Sequence, residues 1–289
     1  MRTKIFSDTT CDLSLETLEK HDITALPIHI LLGEDDHLDG VDITSEQLFA
    51  YANEHKQLPK TAAVGMLQFQ EAFQAALDNG YDELIYTGLS SELSSTYHNA
   101  VLAREALAEM GYDPKRIHLV DSLQLSCGEA HLLLTAAEIV ENGGTAQEAE
   151  DAMLNIIPRI STHFVVDTLQ YLHMGGRCSS VAYLAGSMLK MHPQINMTEG
   201  RMSAGEKFRG KMDSVIQAYK KRVVLDKLQE LEPDRIFITS TLPADKAEAL
   251  ADEIRALGYF KEVYVTFAGA AISSHCGPNT IGYLTVRKA

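Results

Sequence analysis

The stretch 86-YTGLSSELSSTY-97 decides how this chain reads. Leu84, Ile85 and Tyr86 have the character of a buried strand end, and Gly88 lets the backbone turn. Ser90, Ser91, Ser94, Ser95 and Thr96 then precede a run in which Leu102, Ala106 and Met110 recur at four-residue spacing. Apolar residues at that spacing share one face of a helix, so a helix begins here. A helix start offers free backbone N–H groups and the positive end of the helix dipole. With hydroxyls around it, such a place takes a small anion or a carboxylate without any fixed positive charge. Each Ser or Thr alone also reads as an ordinary cap, but five hydroxyls in the seven positions 90–96 exceed what capping needs.

Working outward, the same grammar repeats. Residues 3–6 read as a first strand ending at 7-SDTTCDL-13, and Ser14 opens a short helix. A second strand spans 25–32, a helix follows a capping pattern over 44–55, and 61–65 is a loop before a helix over 66–79. Strands at 84–86 and 117–120 are each followed by a helix. Strands alternating with helices give a mostly parallel sheet with flanking helices, and such sheets bind ligands beyond the carboxyl ends of their strands. SDTT, SSELSS and 121-DSLQLS-126 all fall at that edge. At 289 residues the chain exceeds what one core ordinarily serves, so two α/β domains are expected, 1–153 and 154–289. The second carries a mixed sheet with helices: a strand at 163–166, helices at 169–174 and 181–189, a hairpin pairing 194–197 with 201–203, and a long helix over 212–231. A strand at 235–240, a helix at 244–257, a strand at 262–267 and a terminal strand pair, 271–274 and 281–286, complete it.

Composition excludes several functions. A formal charge of −15 works against nucleic acid, whose phosphates require clustered Lys and Arg. No apolar run approaches the roughly 18 residues of a membrane span, and MRTKIFSDTT enters a strand with no signal-like segment, so a soluble cytoplasmic protein is expected. Cys11, Cys127, Cys178 and Cys276 lie far apart without a CxxC pair and read as buried small hydrophobes.

The remaining constellations divide into chemistry and background. Asp35, His37, Asp39, Gly40 and Glu46 match calcium-loop spacing, but His is a poor ligand for that ion and the preceding helix is missing, so a solvated turn is the better reading. GLSSE at Gly88 is not a nucleophile elbow, since Glu92 stands in the place of the final Gly. A hydrolase pairing Ser94 with His275 is compatible with spacing and would need Asp121 or Asp167 as orienting carboxylate. Arg177 projects from the Gly-rich turn 174-MGGRCSS-180, and Lys207, Arg209 and Lys211 alternate so that an extended segment arrays them on one face. Together they read as a phosphate or acidic-partner site, or as a solvated basic face. His275 lies on the chain's last turn, 273-SSHCGPNTIG-282, and reads equally as a structural or a site histidine. No GxxxxGK[ST] loop is present, so phosphotransfer is not assigned to this chain.

These segments, with 59-PKTAAVG-65, 166-VDTLQYLHMGGRCSS-180 and 206-EKFRGK-211, resemble in order and spacing the DegV family of bacterial fatty-acid-binding proteins. The resemblance implies a two-domain α/β protein holding one long-chain fatty acid in a tunnel between the domains. As a non-catalytic subunit it would present the carboxylate to a separate ATP-dependent fatty-acid kinase, for acyl-phosphate formation and phospholipid synthesis. Carried across motif by motif, it implies that Thr61, Ser94 and Ser95 bind the carboxylate with His275 beside it, and that Arg177 and Arg209 contact the partner or the acyl-phosphate. No cofactor or metal is expected, and transient contact with a membrane surface is compatible with the role. Ala62, Ala63 and Val64 replace the family's usual Ser, Gln and Pro, and Ser95 replaces a usual Gly, differences that bear on head-group geometry. The alternatives from other classes are a Ser/His acyl hydrolase, a small-molecule phosphotransferase, and a lipid-sensing regulatory protein.

Overall fold

A computed structural model describes residues 2–178 and 191–289. The chain runs β1 (Thr3–Asp8), α1 (Leu15–Lys20), β2 (Ile23–Leu26), β3 (His29–Leu32), β4 (Asp35–Leu38), α2 (Ser45–His55), β5 (Lys60–Ala62), α3 (Met66–Asp78), β6 (Glu83–Gly88), α4 (Thr96–Glu109), β7 (Ile117–Asp121), α5 (Cys127–Glu141) and α6 (Ala146–Ile156). It continues with β8 (Ile160–Ser161), β9 (His163–Val165), α7 (Gln170–Gly175), β10 (Met191–Thr198), β11 (Arg201–Arg209), α8 (Met212–Val223), β12 (Arg235–Ser240), α9 (Ala244–Arg255), β13 (Glu262–Phe267), α10 (Ala270–Cys276) and β14 (Ile281–Val286). The helix expected at 181–189 lies outside the described residues.

In the N-terminal half, β2-β1-β6-β7 form a parallel sheet, as the alternation of strands and helices predicts. The apolar stretch 25–32 is not one strand. Pro27 has no N–H to give to a ladder, and the chain breaks there into β2, which pairs with β1, and β3, which joins β4 and β5 in a separate antiparallel sheet. Thr61 therefore sits on a strand instead of in a loop, opposite Ile30. Gly88 is needed for a different reason from turning: a Cβ there would stand 2.1 Å from Asp8 Oδ2.

In the C-terminal half, the order β11-β10-β9-β14-β12-β13, with β8 beside β14, makes a mixed sheet whose one parallel pair is β12 and β13. The hairpin turns at Glu199 and Gly200, both with positive φ, and its tip reaches the hydroxyl-rich loop, where Ser90 Oγ donates to the Gly200 carbonyl at 2.8 Å. Residues 271–274 are helical, not extended. The helix starts here because Asp12 and Asp39 accept the N–H groups of Gly269 and Ala270. Asp39 is accordingly 1% exposed, whereas Asp35, Gly40 and Glu46 are exposed, so the solvated-turn reading fails at Asp39 alone.

Helix α5 joins the two halves. Every residue from Cys127 to Leu134 is buried, as are Ala136 and Ala137, the pattern of a helix covered all round. It packs on β1 and β6 on one side and on β8 and β14 on the other, in a core shared by Ile5, Ile85, Leu133, Phe237 and Leu284. His131 on this helix faces the Leu284 carbonyl at 3.1 Å, and burial pushes its pKa down to about 3. Among the described residues no helix is long and apolar enough to cross a membrane.

Candidate functional site

A cavity of about 310 Å³ opens between the carboxyl edge of the parallel sheet and the face of the mixed sheet, the place parallel α/β topology predicts. The loops after β1, β6 and β7 contribute Thr10, Leu89, Leu93, Ser94, Ser95, Leu125 and Ser126. The opposite wall comes from β9, β11, β14 and α10, with Phe164, Met202, Gly282, Leu284, Ile272 and His275, joined by Leu172 from α7. The lining is mainly apolar, and hydroxyls enter it from both walls, from Thr10, Thr61, Ser94, Ser95 and Ser126 on one and Thr162, Thr239, Ser240 and Thr280 on the other.

The polar residues of the lining come together from segments far apart in sequence. Thr61 on β5 and His275 on α10 meet at 3.0 Å between Oγ1 and Nε2. Ser94 Oγ accepts the Thr96 N–H at 3.2 Å and lies 2.9 Å from Thr96 Oγ1, so it caps α4 while facing the cavity. Ser95 stands at the helix start without a side-chain cap bond. Burial, assisted by the positive charge of Arg177, pushes the His275 pKa down to about 4, so its imidazole is neutral at neutral pH. Its Nδ1 is buried against Gly175, where a Cβ would come within 2.3 Å. Glycine there lets α7 close on the ring.

Thr61, Ser94, Ser95, His275 and Arg177 all line this one cavity. Arg177 is exposed at its edge, with Nη1 donating to the Gly175 carbonyl at 2.6 Å. Arg209 does not line it. It ends β11 opposite Met191, exposed on the same strand face as Lys207, as alternation predicts. All four cysteines are buried. Cys276 lines the cavity, and burial pushes its thiol up to about 12.

Behind the polar wall lie carboxyl groups that no sequence pattern announced. Thr10 Oγ1 contacts Asp8 Oδ1 and both Glu129 oxygens, at 3.0 and 3.1 Å. One hydroxyl proton cannot serve both acids, so a carboxyl of the pair holds a proton. Glu129 is that group: burial pushes its pKa well above the usual range, while Asp8 also receives N–H groups from Thr10 and Leu89 and the Tyr86 hydroxyl. Asp12, bonded to Ser126 and the Gly269 N–H, is pushed by burial to about 8. Protonated acids here spare the cavity a repulsive field toward an anion.

Among the described residues, Ser94 and His275 do not form a catalytic triad with a carboxylate. Ser94 bonds to Thr96 and not to His275, and His275 Nδ1 faces Gly175 in place of a carboxylate. Asp121 is engaged by Ser91 and Asp167 by Asn279.

Residues 2–288 match the family model described as "Uncharacterised protein, DegV family". The chain belongs to the DegV family. Among its DegV relatives, a DegV domain-containing protein of Streptococcus pyogenes serotype M1 is 30% identical over 288 residues, 99% of this chain and 98% of that one. One from Streptomyces coelicolor is 31% identical over 287 residues, 96% of each. In three dimensions the DegV fold superposes on a Thermus thermophilus DegV family protein, described by its fatty-acid binding, with a TM-score of 0.87 at 25% identity over 100% of both chains. A stearic-acid-binding protein of Eubacterium ventriosum gives 0.87 at 27% identity, over 100% of this chain and 99% of that one.

Proposed function

We propose that this DegV chain binds a long-chain fatty acid, with the carboxylate at Thr61, Ser94, Ser95 and His275 and the tail along the wall of Leu89, Leu93, Leu125, Phe164, Leu172 and Met202. The observation that carries this reading is that Thr61, Ser94, Ser95 and the His275 imidazole share one mainly apolar cavity of about 310 Å³. Its size is at the lower end of ligand sites, about 300–1,000 Å³. Removing a dozen methylenes from water contributes on the order of 10 kcal/mol gross at about 0.8 kcal/mol each, so the tail supplies affinity. The hydroxyls and the neutral imidazole supply orientation, without the strong pairing of a bidentate Arg clamp, and leave the carboxylate free to react.

We further infer a carrier role in the cytoplasm: the chain presents its acid to a separate ATP-dependent kinase for acyl-phosphate formation, with exposed Arg177 and Arg209 as docking or acyl-phosphate contacts. Residues 1–153 supply Thr61, Ser94 and Ser95 of the head-group side, and 1–153 and 154–289 share the tail wall. No cofactor takes part in this reading, and the fatty acid is the ligand. Denaturing extraction of purified protein followed by lipid mass spectrometry tests the binding. Protein that stays lipid-free when incubated with C14 to C18 acids refutes it. Co-purification with a kinase, lost in Arg177→Ala or Arg209→Ala while lipid stays bound, tests the carrier role.

A further inference from the structure

Helix α10 brings Ile272, His275 and Cys276 into the cavity wall with only seven residues. A helix so short is not stable by itself, so the position of its last turn depends on what holds its ends. Both ends are held by the N-terminal half of the chain. At the start, Asp39 Oδ1 accepts the Ala270 N–H at 2.7 Å, Asp12 Oδ1 accepts the Gly269 N–H at 2.8 Å, and Ser45 Oγ donates to the Ala268 carbonyl at 2.6 Å. At the far end stands the Thr61–His275 contact. Burying a carboxylate costs free energy that its partners must offset, and Asp39, at 1% exposure, spends its Oδ1 on this helix. Gly269 fits against it, since a Cβ there would stand 3.0 Å from Asp39 Oδ1. The distance from Ala270 to His275 along the axis is about 7.5 Å, one rigid step from cap to imidazole.

We propose that Asp39 is a positioning residue for the head-group site: by holding the first N–H of α10 across the two halves, it sets the seat of the helix and so the reach of His275 Nε2 to Thr61. Asp39, the one buried member of the calcium-like spacing that begins on β4, serves as a clasp between the halves. The clasp stands on geometry alone; only its effect on ligand binding rests on the fatty-acid reading.

The test compares Asp39→Ala, Asp39→Asn and a core control, Ile85→Val, which weakens the fold away from the cavity. Two signals are read: the ring ¹⁵N resonances of His275 in ligand-free protein, and the dissociation rate of oleate. Asp39→Ala is expected to shift or broaden the ring resonances and to speed dissociation about fivefold, the size of a lost cap. Asp39→Asn, which keeps an acceptor for the Ala270 N–H, restores most of both, and Ile85→Val moves neither. In a Thr61→Val background the Asp39→Ala effect on dissociation disappears, because both act through one contact. Unmoved His275 resonances in folded Asp39→Ala, or equal changes in Ile85→Val, overturn the proposal. Should Asp39→Ala not fold, Ser45→Ala removes the neighbouring anchor and is read the same way. Wild-type protein that does not bind oleate refutes the fatty-acid reading and leaves the ring resonances to decide on Asp39.

Discussion

Replacing Thr61 with valine keeps the shape of the side chain and suits its strand, but removes the one hydroxyl that joins β5 to His275 at 3.0 Å. Two free energies change. Within the protein, a neutral imidazole nitrogen loses its partner, which costs about 1–3 kcal/mol of stability when the group is buried. In the complex, the carboxylate loses a donor, and a hydrogen bond to a charged group contributes about 1.5–3 kcal/mol, roughly 10- to 150-fold in affinity. A fatty alcohol of the same tail has no charge at its head, so it loses only about 0.5–1.5 kcal/mol. Titration of oleate and oleyl alcohol against wild-type and Thr61→Val protein therefore shows the acid's advantage shrinking, while thermal unfolding reports the internal loss. Unchanged oleate affinity in folded protein, or equal losses for acid and alcohol, refutes the assignment of Thr61 to the carboxylate.

Ser94→Ala is expected to weaken acid binding about fivefold, through a lost hydrogen bond of about 1 kcal/mol, and to lower stability by about 0.5–2 kcal/mol, because Ser94 Oγ also caps α4. Affinity that stays constant returns Ser94 to capping alone. Gly175→Ala drives a Cβ to within 2.3 Å of His275 Nδ1 and should lower stability by about 1–3 kcal/mol and acid affinity with it; a melting curve like wild type contradicts that packing. The pH profile follows from Asp12, whose native pKa of about 8 lies above its unfolded 3.8. The native state keeps a proton that the unfolded state has released, so this stabilisation is complete below pH 3.8 and is lost as pH rises through 8. Between pH 6.5 and 8 this contribution falls by about 1.7 kcal/mol, while His131, His163 and His275, neutral in the native state but half-protonated in the unfolded chain at pH 6.5, offset about 1.2 kcal/mol of it. The stability difference between wild type and Asp12→Asn, measured by denaturant unfolding, should therefore fall by about 1.7 kcal/mol from pH 6.5 to 8; a difference that stays constant would count against a protonated Asp12.

Much of the architecture was legible in the sequence. Strands alternating with helices up to α5 and hydroxyl clusters at successive strand ends are local patterns that steric propensity and periodicity write directly into the chain, and they place the ligand edge of the parallel sheet; the helix after Thr96 is where its spacing predicts, but it buries Ala100, Ala103 and Leu107 and leaves Leu102 and Met110 exposed. The ordered motifs likewise matched the DegV family. What local pattern did not contain was decided by partners distant in sequence. Thr61 became a strand residue by pairing with β3, and Pro27 divided one apolar run between two sheets. Residues 270–276 became a helix because Asp12 and Asp39 satisfy its first N–H groups. Burial likewise decided ionisation: the same carboxyl and imidazole side chains would carry charge in water, and only the close packing of α5 and α10 against both halves leaves Glu129 protonated and His275 neutral beside the cavity.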